Sequence, residues 1–458
     1  MYKLQNFLGT ASLNDEAVKF VNKGFIMLLG YAFLFNLTQT FFVLYALEHV
    51  SFTELGMLLG IQFTIQFLVD YPSGAIGDWI GQRWVLALSA VFYGIGFLVL
   101  GSATSFIPLA LAFAFIALGR SQESGAFNAW FDNNYKLYAP EDNERKIYGG
   151  IFGKIQMLFQ IELAVAFVGG GILVGLVGRS LIFSFQGLLL LGYVFIFLFF
   201  LKDHPDLKRE EPKMKQYFHL LGEGVTTTFS HPTLRWVIVG VVISSAAISI
   251  WGNFILFPLY ESYGKSDEVV GFIRAVIFLT AALLAGLAAI LVSKMNQKQS
   301  FTALGIVNIF GMPIWLCIMA AFVTFFPAPE VFMLSSLLGL IVAFSLLNLL
   351  NGISNCLMPR FFLDIIPDKN RNSVFSLFPT LVVAFSIPAN LIAGPLFEMF
   401  SLAQVILIIA FFSFIGGSIV GVTILRFNKD LDKAKSVLSD LPEIVEEQAP
   451  GSEVPAKS

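Results

Sequence analysis

The sequence predicts an all-α membrane protein, with twelve transmembrane helices in two pseudo-symmetric six-helix bundles. Composition is the first reason. Of 458 residues, 57% are hydrophobic and 13% are charged, where a soluble domain carries about 25% charged residues. Mean hydropathy is +0.78. The second reason is a series of twelve apolar runs, each near the ~20 residues that cross a bilayer. The third is that Lys and Arg fall almost wholly on one side of those runs, as the positive-inside rule requires.

Taken in order, residues 1–23 are mixed and amphipathic, with Asp15 and Glu16, and read as a cytoplasmic segment without a cleavable signal. The runs are 24–47, 52–77, 84–101, 107–134, 148–177 and 181–201, then 234–260, 269–293, 301–325, 331–358, 374–398 and 402–425. The first six predict an N-terminal bundle over 24–201, and the last six a C-terminal bundle over 234–426. Between them, 202–233 reads as a cytoplasmic linker, charged around Lys208 and amphipathic from Tyr217 to Phe229, lying on the membrane face. The polar tail 427–458 carries Glu443, Glu446 and Glu447 and reads as disordered. An even number of spans puts both termini on one side. The connections opposite them hold only Arg179 and Lys265, while Arg83, Lys136, Arg145, Arg360 and most other bases lie on the terminus side. The expected setting is the plasma membrane, crossed many times, with both termini cytoplasmic.

Several function classes are excluded. A net charge of −3 gives no footprint for nucleic acid. Cys317 and Cys356 lie in apolar runs and read as inert thiols, not as a disulfide or metal site. The four histidines fall at connections, which argues against a histidine proton relay. No catalytic spacing appears inside the runs, so neither an enzyme nor a cofactor is expected.

Asp70-Tyr-Pro-Ser-Gly74-Ala-Ile-Gly77-Asp78-Trp-Ile-Gly81-Gln-Arg83 separates the second run from the third. Acid and base mark the water boundary, and glycines allow a tight turn and close helix approach. The pattern G-x-x-x-D-x-x-G-x-R resembles the loop between the second and third helices of the major facilitator superfamily of transporters. Trp79 and Trp84 stand where that family often has further bases. The resemblance implies two bundles that rock about a central pathway. It also implies a latch of Gly74, Asp78, Gly81 and Arg83. Asp78 would meet the start of the eleventh helix near Asn370-Arg-Asn-Ser373, where the helix dipole favours an acid, with Arg83 and Arg145 orienting it.

Polar groups inside the spans are costly and each needs a reason. The fourth run holds Arg120, Gln122, Glu123, Asn128 and Asp132; the fifth holds Lys154, Gln156, Gln160 and Glu162. Arg120, with Glu123 where the motif has Gln and with Gly125 one residue late, partly resembles the R-x-x-Q-G motif of the same superfamily. Depth counting suggests a charge network of Asp70, Arg120, Glu123, Lys154 and Glu162 in the N-terminal bundle. It reads either as a self-neutralising clamp or as a site where a carboxylate serves substrate or proton. The proton-coupling candidates are Glu162, Glu123 and Asp70, with Glu162 first because it is deepest, and burial away from water favours a carboxylate's protonated form. Gly169-Gly-Gly171 and Gly175 resemble the glycine-rich motif of drug/proton exporters, without its proline.

In the superfamily the first, fourth, seventh and tenth helices line the cavity. That resemblance implies Asn36, Gln39, Arg120, Glu123, Asn253, Asn348 and Asn351, with Gln160 beside them from the fifth run. Asn348, Asn351 and Asn355 share one helical face. Each amide has an alternative use in hydrogen bonds between helices. Arg274, alone in the eighth run, either attracts an anion or snorkels to the surface; snorkelling is the simpler reading. The expected function is secondary active transport of a small solute by alternating access. Proton-coupled export of small organic compounds comes first. The alternative is a nutrient or oxyanion (molybdate-like) uptake carrier, or a uniporter. Expected partners are the solute, a proton or ion gradient and the bilayer, with the chain acting as a monomer.

Overall fold

The structure is a computed structural model that describes residues 7–439 except 124, 143, 208–221, 223–224 and 367–370. Side chains at 71–76, 78–79, 153, 156, 371–373, 375–376 and 431–439 also lie outside the description. Among the described residues, twelve helices are long and apolar enough to cross a membrane. They are α1 (Asp15–Asn36), α2 (Phe52–Ile80), α3 (Gln82–Ser102), α4 (Phe106–Tyr138), α5 (Lys146–Val177) and α6 (Arg179–Phe200). The second six are α7 (Pro232–Gly264), α8 (Asp267–Ser293), α9 (Gln297–Phe325), α10 (Leu334–Ile365), α11 (Arg371–Met399) and α12 (Leu402–Ser439). Both termini therefore leave on one face, the terminus face; the opposite face is the far face.

Local chemistry sets the helix starts. The Asn14 side chain accepts from the Ala17 N–H at 2.8 Å, so α1 begins at Asp15, ahead of the apolar run, and takes up part of the expected N-terminal segment. Ser51 with Glu54, and Asn296 with Gln299, form capping boxes at α2 and α9. Pro232 opens α7. At the other end α12 continues to Ser439, so 427–439 of the expected tail is helix.

Two interruptions matter for the site. α1 ends at Asn36 and the chain turns before a short helix, Phe42–Leu47. Gln186 of α6, fully buried, donates to the freed Leu34 and Phe35 carbonyls at 2.6 and 3.1 Å, and Thr38 donates to it. These bonds satisfy an end that would otherwise leave polar backbone in hydrocarbon. α4 breaks at Gly125, whose φ is +73°. α7 and α9 also carry π turns at Trp251–Ile255 and Val307–Gly311, a local widening often found at functional sites.

The signature stretch is not the loop expected of it. α2 stays helical through Ile80, so Gly74, Gly77 and Asp78 belong to its last turns. Gly81 alone, at φ +99°, reverses the chain into α3.

Within the halves the same helix relation recurs. α3 packs on α6 through Gly94 and Gly187, where an added Cβ on Gly187 would lie 2.8 Å from the Gly94 carbonyl. α9 packs on α12 through Gly305 and Gly421, with the corresponding distance 2.4 Å. Between the halves, α2 meets α11 and α5 meets α8.

Candidate functional site: a cavity between the two halves

The halves close tightly on the far face. An added Cβ on Gly271 of α8 would lie 2.4 Å from the Phe167 carbonyl of α5, and one on Gly171 2.7 Å from the Asp267 carbonyl. On the other seam, one on Gly56 of α2 would lie 2.7 Å from the Asn390 carbonyl of α11, and one on Gly394 2.5 Å from that of Phe52. Only hydrogen fits at such contacts. Close packing of this kind accounts for Gly171 in the glycine run at the end of α5.

An ionic cluster caps this closure. Arg179, at the start of α6, donates to Glu48 at 2.5 Å, Glu261 at 2.5 Å and Asp267 at 2.6 Å. Glu48 belongs to the N-terminal half; Glu261 and Asp267 end α7 and begin α8 in the other half. The Arg179 side chain is only 11% exposed, so these charge-assisted bonds are shielded from water. The sequence marked Arg179 only as a base on a base-poor side. The acids that match it sit in two other connections, and that complementarity was its one legible signal.

Where the far-face packing ends, a cavity of about 820 Å³ begins. Gln160 and Ile161 of α5, Phe278 to Ala285 of α8, and Asn348, Asn351 and Asn355 of α10 line it. The boundary is sharp along α5: Ala164 and Phe167 pack on α8, whereas Met157, Gln160 and Ile161 line the cavity. Glu162 sits at that boundary, 9% exposed, with Asn36 Nδ2 3.5 Å away. Asn348 donates to the Ile277 carbonyl at 3.2 Å, which leaves its carbonyl oxygen for other contacts.

Arg274 overturns the snorkelling expectation. Its guanidinium points inward, donating to Gln39 Oε1 at 2.6 Å and Thr40 Oγ1 at 2.8 Å on the segment after α1. Phe167 and Phe257 rings cover it, with centroids 3.8 and 4.8 Å away. The α1 segment, which has no helix of its own between 37 and 41, thereby joins Glu162 through Asn36 to Arg274 through Gln39. Among the described residues, no carboxylate lies within ion-pair distance of Arg274.

The five-membered charge network does not form, and no ion pair joins any two of its members. Lys154 lies close to Gly9 near the terminus face. Asp70 is half-buried. Glu123 accepts from the buried Tyr93 hydroxyl at 2.9 Å beside the α4 break, and Arg120 acts on it electrostatically. Glu123 and Glu162 instead take neutral partners, Tyr93 and Asn36. Asn253, in the π turn of α7, donates to Asn390 Oδ1 at 2.9 Å and so ties α7 to α11 inside the C-terminal half.

The latch residues Gly74 and Asp78 have side chains outside the described residues, as does the start of α11 that Asp78 was expected to meet. Arg83 lies against the Trp84 ring at 5.3 Å. Arg145, expected to orient Asp78, pairs with Asp132 at 2.8 Å and stacks on Tyr148 at 4.9 Å.

A family model described as the Major Facilitator Superfamily matches residues 24–387. The chain belongs to the Major Facilitator Superfamily. It is a transporter by family and fold, not an enzyme. Solved structures of similar fold include a variant of the nucleoside transporter NupG, at 13% identity and TM-score 0.69 over 88% of this chain and 99% of that one. A POT family transporter in complex with 5-aminolevulinic acid matches at 13% identity and TM-score 0.64, over 90% and 96% of the two chains. A bacterial homolog of the human lysosomal transporter Spinster, in an inward-facing conformation, matches at 14% identity and TM-score 0.60, over 93% and 98%. No curated protein sequence matches the chain. In superfamily terms, a far-face closure above an open mid-depth cavity is consistent with one stage of alternating access.

Proposed function

We propose that this chain is a proton-coupled exporter of small organic solutes, working as a monomer in the plasma membrane with its terminus face to the cytoplasm. One observation carries the reading: Glu162, a nearly buried carboxylate at the seam of the two halves, has an amide neighbour and, among the described residues, no ion-pair partner. In this position its protonated form is favoured when water is excluded and its ionised form when the cavity opens. Proton binding and rocking are then one coupled equilibrium. The amides of Gln160, Asn348 and Asn351 offer solute contacts on the open side. The export direction rests on the resemblance of the α5 glycine run to the motif of drug/proton exporters.

Net flux and exchange in proteoliposomes test this, using a solute found by screening. Glu162→Gln should abolish the pH dependence of net flux while solute exchange, which moves no net proton, continues. A pH profile matching the unaltered protein would remove Glu162 from coupling. Loss of exchange as well would assign it a structural role.

A second reading is favoured by Arg274: a desolvated guanidinium facing polar neighbours, with no acid beside it, suits a solute carrying a carboxylate or oxyanion. Such a solute would enter as an anion, and uptake would then be a natural direction.

A further inference from the structure

We propose that the terminus face of the N-terminal half binds the phosphate headgroup of an acidic glycerophospholipid, using Lys19, Lys23, Lys202 and Trp130. A cavity of about 500 Å³ lies between the start of α1, the end of α4 and the chain just past α6. It shares no lining residue with the cavity between the halves. The volume falls in the range of small-ligand pockets.

Charge is the first observation. Three lysines line the cavity against one carboxylate, Glu16. Lys19 and Lys23 stand one turn apart on one face of α1, and the charge of Lys202 bears unfavourably on Lys23. Among the described residues, none of the three lysines is in an ion pair. His204, also in the lining, is engaged with Asp206 and is left out of the site. Gathered like charges without a counter-ion call for an anion.

Trp130 is the second, independent observation. It is 2% exposed and lines the same cavity. Phe20 and Phe127 hold its ring, with centroids 5.1 and 5.6 Å away. Its indole Nε1–H is buried and, among the described residues, has no acceptor. That group can only donate, and a phosphate oxygen is an acceptor.

The surroundings identify the anion as a lipid. Lys23 Nζ lies over the Phe200 ring at 5.3 Å. Phe200, Phe199 and Ile26 are among the most exposed apolar side chains of these helices. Ammonium groups at the water boundary above an apolar flank match a headgroup with its acyl chains below. A free phosphate ion would use the lysines and leave that flank without a role.

Native mass spectrometry of the purified full-length protein tests the site, with phosphatidylglycerol and phosphatidylcholine of matched acyl chains. Phosphatidylglycerol should be retained at least tenfold more strongly. Lys19→Gln, Lys23→Gln and Lys202→Gln together should weaken it about a hundredfold, at about 1 kcal/mol per lysine. Trp130→Phe, which keeps the ring and removes the donor, should weaken it several-fold. Lys294→Gln with Lys298→Gln, on the same face of the other half, should change nothing. Equal retention of the two lipids would overturn the proposal. So would a triple variant no weaker than the control pair, or displacement of the lipid by millimolar inorganic phosphate. If the triple variant fails to fold, Lys23→Gln and Trp130→Phe carry the test singly.

Discussion

Glu162 and Arg274 are two ionisable side chains that the fold keeps in apolar surroundings without an ion pair. A charged group at a helix centre costs about 2.5–3.5 kcal/mol to insert. Two hydrogen bonds and two aromatic faces offset that cost for Arg274. If the guanidinium binds a solute anion, Arg274→Gln should raise KM about tenfold to a hundredfold, the effect of one lost charged hydrogen bond. Arg274→Lys should recover part of it. Unchanged KM in both variants would leave Arg274 as a tie between α8 and α1 alone. The sequence marked Glu162, Asn36, Gln39 and Arg274 correctly as polar groups needing a reason. It could not pair them, because Gln39 and Arg274 lie 235 positions apart. Snorkelling failed as a reading because depth in a helix says nothing of which way the helix is turned.

At the scale of the helix, the α5–α8 seam is closed by glycine. An alanine methyl at Gly271 would stand 2.4 Å from the backbone carbonyl of Phe167, and overpacking of this kind costs about 1–3 kcal/mol. Gly271→Ala should therefore disfavour the closed far face and raise thiol labelling of cysteines placed along it. Labelling equal to that of the parent would mean the seam adjusts without opening. Helix number and order were legible because apolar runs of bilayer length have few other uses. Helix ends were less legible. α1 begins in polar sequence because Asn14 caps it, and it stops at Asn36 because Gln186, from another helix, takes its carbonyls. The signature stretch reads as a loop from its acid, base and glycines, yet it is helical until Gly81. Neighbouring helices tolerate such residues in a span.

Across the whole molecule, one chain supplies both walls of a pathway. Seams α2–α11 and α5–α8 hold those walls together at the far face. The Arg179 cluster fastens the closure, and it must release for the pathway to open there. No single span announces such a cluster, since its acids come from both halves. The account's central claim is that the halves pivot, with the far face closing as the terminus face opens. Spin-label distances measure this directly after Cys317 and Cys356 are replaced. One label pair, at Ser105 and Glu330, spans the far face; another, at Asp206 and Lys298, spans the terminus face. Arg179→Gln should lengthen the first distance and shorten the second, shifting the two-state ratio about tenfold for ~1.4 kcal/mol of lost contact. Two distance distributions that ignore the substitution, or that lengthen together, would contradict it.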